Sequence, residues 1–175
     1  MLISVQGKRP ELGSENFVSV SAQIIGDVHS GSECSFWYQV VVRGDVSPIK
    51  IGNQVNIQDG AVIHGTYQRH SVHLHDGVSI GHNCTVHGCE IGEGTLVGMG
   101  ATVMDGVKVG ARCLIGAGSL LPPGKVYPEN SLIVGSPAKV IRTLTHEEHE
   151  LLAKTTEHYL MYKNWHENCE VIDDE

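Results

Sequence analysis

The sequence predicts a mainly β fold: a left-handed parallel β-helix built from hexapeptide repeats, about seven coils long, with one C-terminal α-helix. Three observations predict it. An aliphatic residue falls on every sixth position through Ile91, Val97, Val103, Val109, Ile115 and Leu121. Glycine follows that residue at Gly92, Gly98, Gly110 and Gly116. The rhythm then stops at Ser136-Pro137-Ala138, and the spacing beyond it becomes helical.

Taken in chain order, residues 1–13 read as an N-terminal arm. The same six-residue step appears next at Ile51, Ile57 and Ile63, with Gly52 after the first, and again at Ile80 and Val86. Neither a 3.6-residue nor a 2-residue period produces this pattern. In a triangular prism each six-residue unit forms one face, so a coil takes roughly 18 residues and residues 14–142 hold about seven. The aliphatic residue points inward onto its counterpart in the next coil. The small residue after it is expected to turn the corner with positive φ. Two irregularities interrupt the step. Ile63 and Ile80 are 17 apart and enclose the polar stretch from Gly65 to His70, read as a loop beside His64. Val86 and Ile91 are only five apart. Both flank histidines, where function is expected to intrude on regular structure.

Residues 1–142 are thus expected to form the β-helix domain, and residues 143–175 a helix and tail. Thr145 with Glu148 makes a T-x-x-E capping box. Leu151, Leu152, Thr155, Tyr159 and Tyr162 recur at helical spacing, which predicts an amphipathic helix over residues 146–164 lying along an apolar face of the prism. The acidic end from Glu167 to Glu175 reads as a loose tail.

Composition narrows the function. Apolar residues form 41% of the 175, but aromatics only 5%, so the core must be built from Val, Ile, Leu and Ala. A net charge of −8 argues against nucleic acid or an anionic membrane surface as the main partner. Met1 to Pro10 has no apolar signal-like core, and no segment is long enough to span a membrane. Five cysteines without framework spacing read as buried reduced thiols, and the chain as cytoplasmic.

Among 11 histidines, three stand out by position. His64 and His87 each follow an inward aliphatic residue, in the slot that glycine takes elsewhere, and His82 comes two places after Ile80. Such positions point outward, with imidazoles suited to a transition metal. His82 and His87 lie on consecutive faces that diverge by about 120°. One chain would therefore struggle to bring all three within the approximately 2.0–2.1 Å of a zinc–nitrogen bond. A neighbouring subunit supplying one ligand, in a cyclic homotrimer with three equivalent sites, meets the requirement. His70, His73 and His75 read as solvated loop residues, with proton transfer as the alternative.

The segments Arg43-Gly44-Asp45, Asn56-Ile57-Gln58-Asp59-Gly60, Ile80-Gly81-His82-Asn83 and Val86-His87-Gly88-Cys89 together resemble the gamma-class carbonic anhydrase family. Val97-Gly98-Met99-Gly100 and Val134-Gly135-Ser136-Pro137-Ala138-Lys139 extend the likeness over residues 14–142. The resemblance implies a homotrimer with zinc, or iron or cobalt, at each subunit interface. His64 and His87 would come from one subunit and His82 of the partner subunit would complete the ligands. A metal-bound hydroxide would convert carbon dioxide reversibly to bicarbonate. Gln58 matches the residue that orients water or substrate, Arg43 and Asp59 an interface pair, and Asp45 its acidic neighbour. Tyr159 matches a helix tyrosine that leans toward the site in some relatives, with packing as its other role. The family's best-known active members carry glutamates between the first two histidines. Here Thr66 to Asp76 holds a single acid, Asp76, which predicts weak hydratase activity. Competing readings of the same repeat are a hexapeptide acyltransferase using CoA, a metal-dependent thioesterase and a non-catalytic trimeric assembly protein.

Overall fold

The computed structural model describes residues 1–167 and 169, so most of the expected acidic tail lies outside the described residues. The chain winds as a left-handed parallel β-solenoid of about seven turns followed by one helix. Its three faces are three stacks of short parallel strands. The first face carries the starts of Gln23–Ser30 and Val41–Ile51, then Val62–His64, Thr85–His87, Thr102–Val103 and Leu120–Leu121. The second takes the ends of those two long strands, then Val72–Leu74, Glu90–Ile91, Lys108–Val109 and Val126–Tyr127. The third runs from Phe17–Val18 and Ser35–Phe36 through Asn56–Ile57, Ser79–Ile80, Leu96–Val97 and Leu114–Ile115 to Ser131–Gly135. Leu2–Ile3 and Glu11–Leu12, from the N-terminal arm, pair in parallel with Gln23–Ser30 and join the solenoid's first turn.

The six-residue step becomes the core directly. Ile57, Ile80, Val97, Ile115 and Ile133 stack along the third face with no exposed surface, as do Ile63, Val86, Val103 and Leu121 along the first. Each buried aliphatic contributes about 1.5–3 kcal/mol by leaving water. The glycines after these residues serve a different purpose from the one expected. Gly98 and Gly110 are not in the positive-φ region. A Cβ at Gly98 would stand 2.5 Å from the Ile115 carbonyl oxygen, and one at Gly110 would stand 2.4 Å from the Glu129 nitrogen. Coil-on-coil crowding demands them, and the left-handed residues come two places later, at Gly94, Gly100, Arg112 and Gly118.

Coil length varies where the histidines are. Regular coils take 18 residues, as from Leu96 to Leu114 to Leu132. Val42 pairs with Ile63, 21 on, and Ile63 with Val86, 23 on, while Val86 to Val103 takes 17. Both long coils spend their extra residues at the corner between the first and second faces. One widens through Asp45 to Ser47, and the other forms the loop closed by a Thr66–His70 bridge. His73 is therefore not a loop residue as expected, because strand Val72–Leu74 holds it.

After Pro137 the chain does not simply leave the coil. Ala138–Thr143 turns back antiparallel along Ser131–Gly135. Helix His146–Glu167 begins with the expected capping box: the Glu148 carboxylate accepts from the Thr145 amide (2.8 Å) and Thr145 Oγ1 accepts from the Glu148 amide (3.3 Å). The helix runs beyond residue 164, and its amphipathic pattern is weaker than expected. Leu151 is half exposed, whereas Lys163 is buried with Nζ donating to the Glu15 carbonyl (2.8 Å). It packs on the third face through the edge-on pair Trp37–Tyr159, centroids 5.5 Å apart, and through Tyr38 and His166. Four cysteines are buried free thiols as expected, but Cys169 is exposed.

Candidate metal centre

The first candidate corner follows the first face. Strand register sets Arg43, His64 and His87 side by side on successive coils. His64 Nε2 lies 3.1 Å from Asp45 Oδ1, and His87 Nδ1 lies 2.7 Å from Asp105 Oδ1. A carboxylate can only accept, so each contact keeps the proton on that ring nitrogen and leaves the opposite nitrogen with its lone pair. Those opposite nitrogens, His64 Nδ1 and His87 Nε2, face each other at 3.1 Å. Two lone pairs at that distance repel unless a proton or cation lies between them. Donor atoms on a tetrahedral zinc stand about 3.3 Å apart, so the pair already has the spacing of a metal edge.

Burial supports a neutral imidazole at His64. Burial, opposed by Asp45, holds the His64 pKa below the usual histidine value. Burial pushes the Asp45 carboxyl up, but hydrogen bonds from Arg43 (2.6 Å) and His64 outweigh it and keep Asp45 ionised below its usual range. Asp105 is lowered in the same way, its burial outweighed by bonds from Thr66 Oγ1 (2.6 Å) and His87. Thr66 belongs to the inserted loop, so the loop tethers the carboxylate that orients His87.

The second candidate corner joins the third face to the first. Here His82 Nδ1 is 2.9 Å from Asp59 Oδ2, again a carboxylate–imidazole pair with Nε2 left open. His82, Asp59 and Tyr159 line a hollow of about 290 Å³ with Trp37, Tyr162, Trp165 and His166. Burial pushes the Tyr159 hydroxyl up to about 12, so it stays a neutral donor. Tyr159 both packs on Trp37 and faces the hollow. Gln58 is buried at this corner, donating Nε2 to Asn56 Oδ1 (3.0 Å), and Asn56 in turn donates to Ser79 Oγ (2.7 Å).

The predicted site residues are thus split in two. Arg43, Asp45, His64 and His87 share one corner, while Gln58, Asp59, His82 and Tyr159 share the other. Within the chain Arg43 bonds Asp45 and Asp59 lies against His82, because the two corners bound opposite ends of the first face, so the Arg43–Asp59 pair expected at an interface would have to join two subunits. Sequence reasoning missed Asp105, Thr66 and Asn56. Two left a signal. Asp105 stands 18 residues after His87, the length of a regular coil, and Asn56 lies two before Gln58 on the same side of a strand. Thr66 left none.

Residues 88–123 match a family model described as bacterial transferase hexapeptide (six repeats). Gamma carbonic anhydrase 1, mitochondrial, of Arabidopsis thaliana is 38% identical over 163 residues, which is 90% of this chain. The chain spans 59% of that relative's length. A carbonic anhydrase of Geobacillus kaustophilus is 39% identical over 148 residues, covering 85% of this chain and 81% of the relative. A solved Bacillus cereus structure, described as an acetyltransferase, superposes with a TM-score of 0.92 at 39% identity over 95% of this chain and 96% of that one. With three carboxylate-held histidines on a solenoid of this kind, and relatives matched over most of their own length, the chain belongs to the gamma carbonic anhydrase family.

Proposed function

We propose that this protein is a metal-dependent carbonic anhydrase-like enzyme that reversibly hydrates carbon dioxide to bicarbonate at the subunit interfaces of a homotrimer. The observation that carries the reading is the pairing of each candidate histidine with its own carboxylate: His64 with Asp45, His87 with Asp105 and His82 with Asp59. Three imidazoles so oriented suit zinc, or Fe(II) or Co(II), and leave coordination positions open. His64 and His87 would hold the ion on one subunit, and His82 of the partner subunit would close the site. When bound, such an ion supplies Lewis acidity that lets water lose a proton near neutral pH.

The chain's own groups do the positioning. Asp45, Asp59 and Asp105 would hold the imidazole protons away from a bound ion, and Arg43 holds Asp45. The Gln58 amide, anchored through Asn56, offers a donor and an acceptor that do not titrate across the working pH range. Tyr159 offers a neutral hydroxyl at the edge of the hollow that His82 lines. The free cysteines suit a reducing compartment, and the proposal places the protein in the cytoplasm.

Stopped-flow carbon dioxide hydration tests this, using protein loaded with Zn(II) and, anaerobically, with Fe(II). Acceleration above buffer that disappears in His82→Ala is expected. Hydration no faster than buffer with either metal fully loaded would sink the assignment. Tight CoA binding by metal-free protein would then favour acyl transfer.

A further inference from the structure

Away from both corners, the described residues contain one group of three side chains able to share a metal ion: His73, His75 and Glu90, with ligand atoms all within 4.8 Å of one another. The backbone, rather than a choice of rotamers, puts them together. In strand Val72–Leu74 the inward residues are Val72 and Leu74, so His73 and His75 both point outward from the second face. Glu90 is in register with His73 on the next coil.

His75 also breaks a column. The residue after the inward aliphatic at this edge is glycine in the neighbouring coils, at Gly52, Gly92 and Gly110. Gly92 and Gly110 are required by crowding, since a Cβ would stand 2.6 Å and 2.4 Å from backbone nitrogens of the next coil. A histidine in this column therefore runs against the packing rule of its neighbours. Its Nε2 lies 3.1 Å from Glu90 Oε1, and its ring stacks on His73 with centroids 4.0 Å apart. Both His75 and Glu90 remain partly exposed, at 38% and 43% of the side chain. A hollow of about 260 Å³, lined in part by His70, His73, Glu90 and Lys108, opens beside them.

We propose that His73, His75 and Glu90 form a second metal site on the outer surface of the second face. It would take a divalent transition ion of the zinc type through two imidazole nitrogens and one carboxylate oxygen, with water completing the shell. Two nitrogen donors favour zinc, nickel or copper over magnesium or calcium. The donor atoms must close from within 4.8 Å to about 3.3 Å, a change that rotation of half-exposed side chains supplies. Lys108 competes, with Nζ 3.8 Å from Glu90 Oε2, and Lys50 stands in register with His73 on the other side. The site lies on one chain, so it does not depend on the interfacial reading above.

The test is zinc stoichiometry on the full-length protein after chelator stripping, by equilibrium dialysis and elemental analysis. The double variant His73→Ala/His75→Ala should bind one zinc per chain fewer than wild type, and His82→Ala should lose a different one. Wild-type stoichiometry in the double variant would overturn the second site. Its loss, with His82→Ala unchanged, would instead overturn the interfacial site and leave this one standing. Glu90→Gln should weaken the second site at least tenfold, and unchanged affinity would overturn the three-ligand assignment. Lys108→Gln removes no ligand and should tighten zinc binding several-fold, so weaker binding in that variant would also count against the site.

Discussion

The two candidate corners present imidazoles in the same way but are built differently. At the corner after the first face, two histidines stack in register and the coils beneath them are lengthened by insertions, which deliver Asp45 and Thr66. At the corner before that face, a single histidine and Asp59 sit under the C-terminal helix among Trp37, Tyr159 and Tyr162. The first corner gains its polar partners from extra backbone, and the second gains its enclosure from a separate element. On the proposed reading, each is half of a site. The difference teaches that a repetitive scaffold can hold ligands rigidly yet cannot fold them onto one another, because the first face separates its own two edges.

The largest effect expected comes from separating the halves. His64→Ala and His82→Ala should each abolish carbon dioxide hydration. A 1:1 mixture, unfolded and reassembled together, should recover about one quarter of wild-type sites, since a random trimer juxtaposes the intact halves at that frequency. Stopped-flow assays would show it, and no recovery from a mixture that does form trimers would break the shared-site reading.

Next come the carboxylates. Asp105→Asn and Asp59→Asn should each weaken metal retention by about 10–100-fold, measured by competition with a chelator. A loss in only one of them would show that the corners contribute unequally.

Stability against pH should separate the corners further. The Tyr159 pKa is raised to about 12, so the unfolded chain loses this proton first as pH rises. Its stabilising contribution is full below the ordinary tyrosine value of about 10 and falls between there and about 12. Tyr159→Phe should flatten that part of the alkaline slope in thermal melts. Asp45 has the opposite sign. Its pKa is lowered, so its contribution is full above the ordinary aspartate value and is lost as pH falls below it. Asp45→Asn should flatten the acid slope and leave the alkaline one unchanged.

The smallest effect belongs to the loop. Thr66→Val removes one hydrogen bond to Asp105 and should lower stability by about 1 kcal/mol in chemical denaturation. Metal affinity should drop only a few-fold, because the His87–Asp105 contact survives.

Much of this was legible before folding. A six-residue period is a direct imprint of the architecture, since every inward position meets its counterpart one coil away. Ile57, Ile80, Val97, Ile115 and Ile133 could thus be read as one ladder. The histidines were legible because they occupy or adjoin slots that the repeat otherwise gives to glycine. Asp105 and Asn56 were legible in principle, by counting the length of a regular coil on or two residues back. The reason for the glycines was not: positive φ and coil-on-coil crowding leave the same letter in the sequence, and only the 2.5 Å approach to Ile115 distinguishes them.

By itself, the sequence determined the solenoid, its core ladders, the capped helix and the outward placement of His64, His82 and His87, because all of these depend on short-range periodicity. Only the tertiary structure decided which acid holds which imidazole, that Arg43 bonds Asp45 within the chain, and that His73 and His75 meet Glu90. Those pairings join residues on different coils or across a corner insertion. Their partners are chosen by strand register and loop path, which a one-dimensional repeat does not encode.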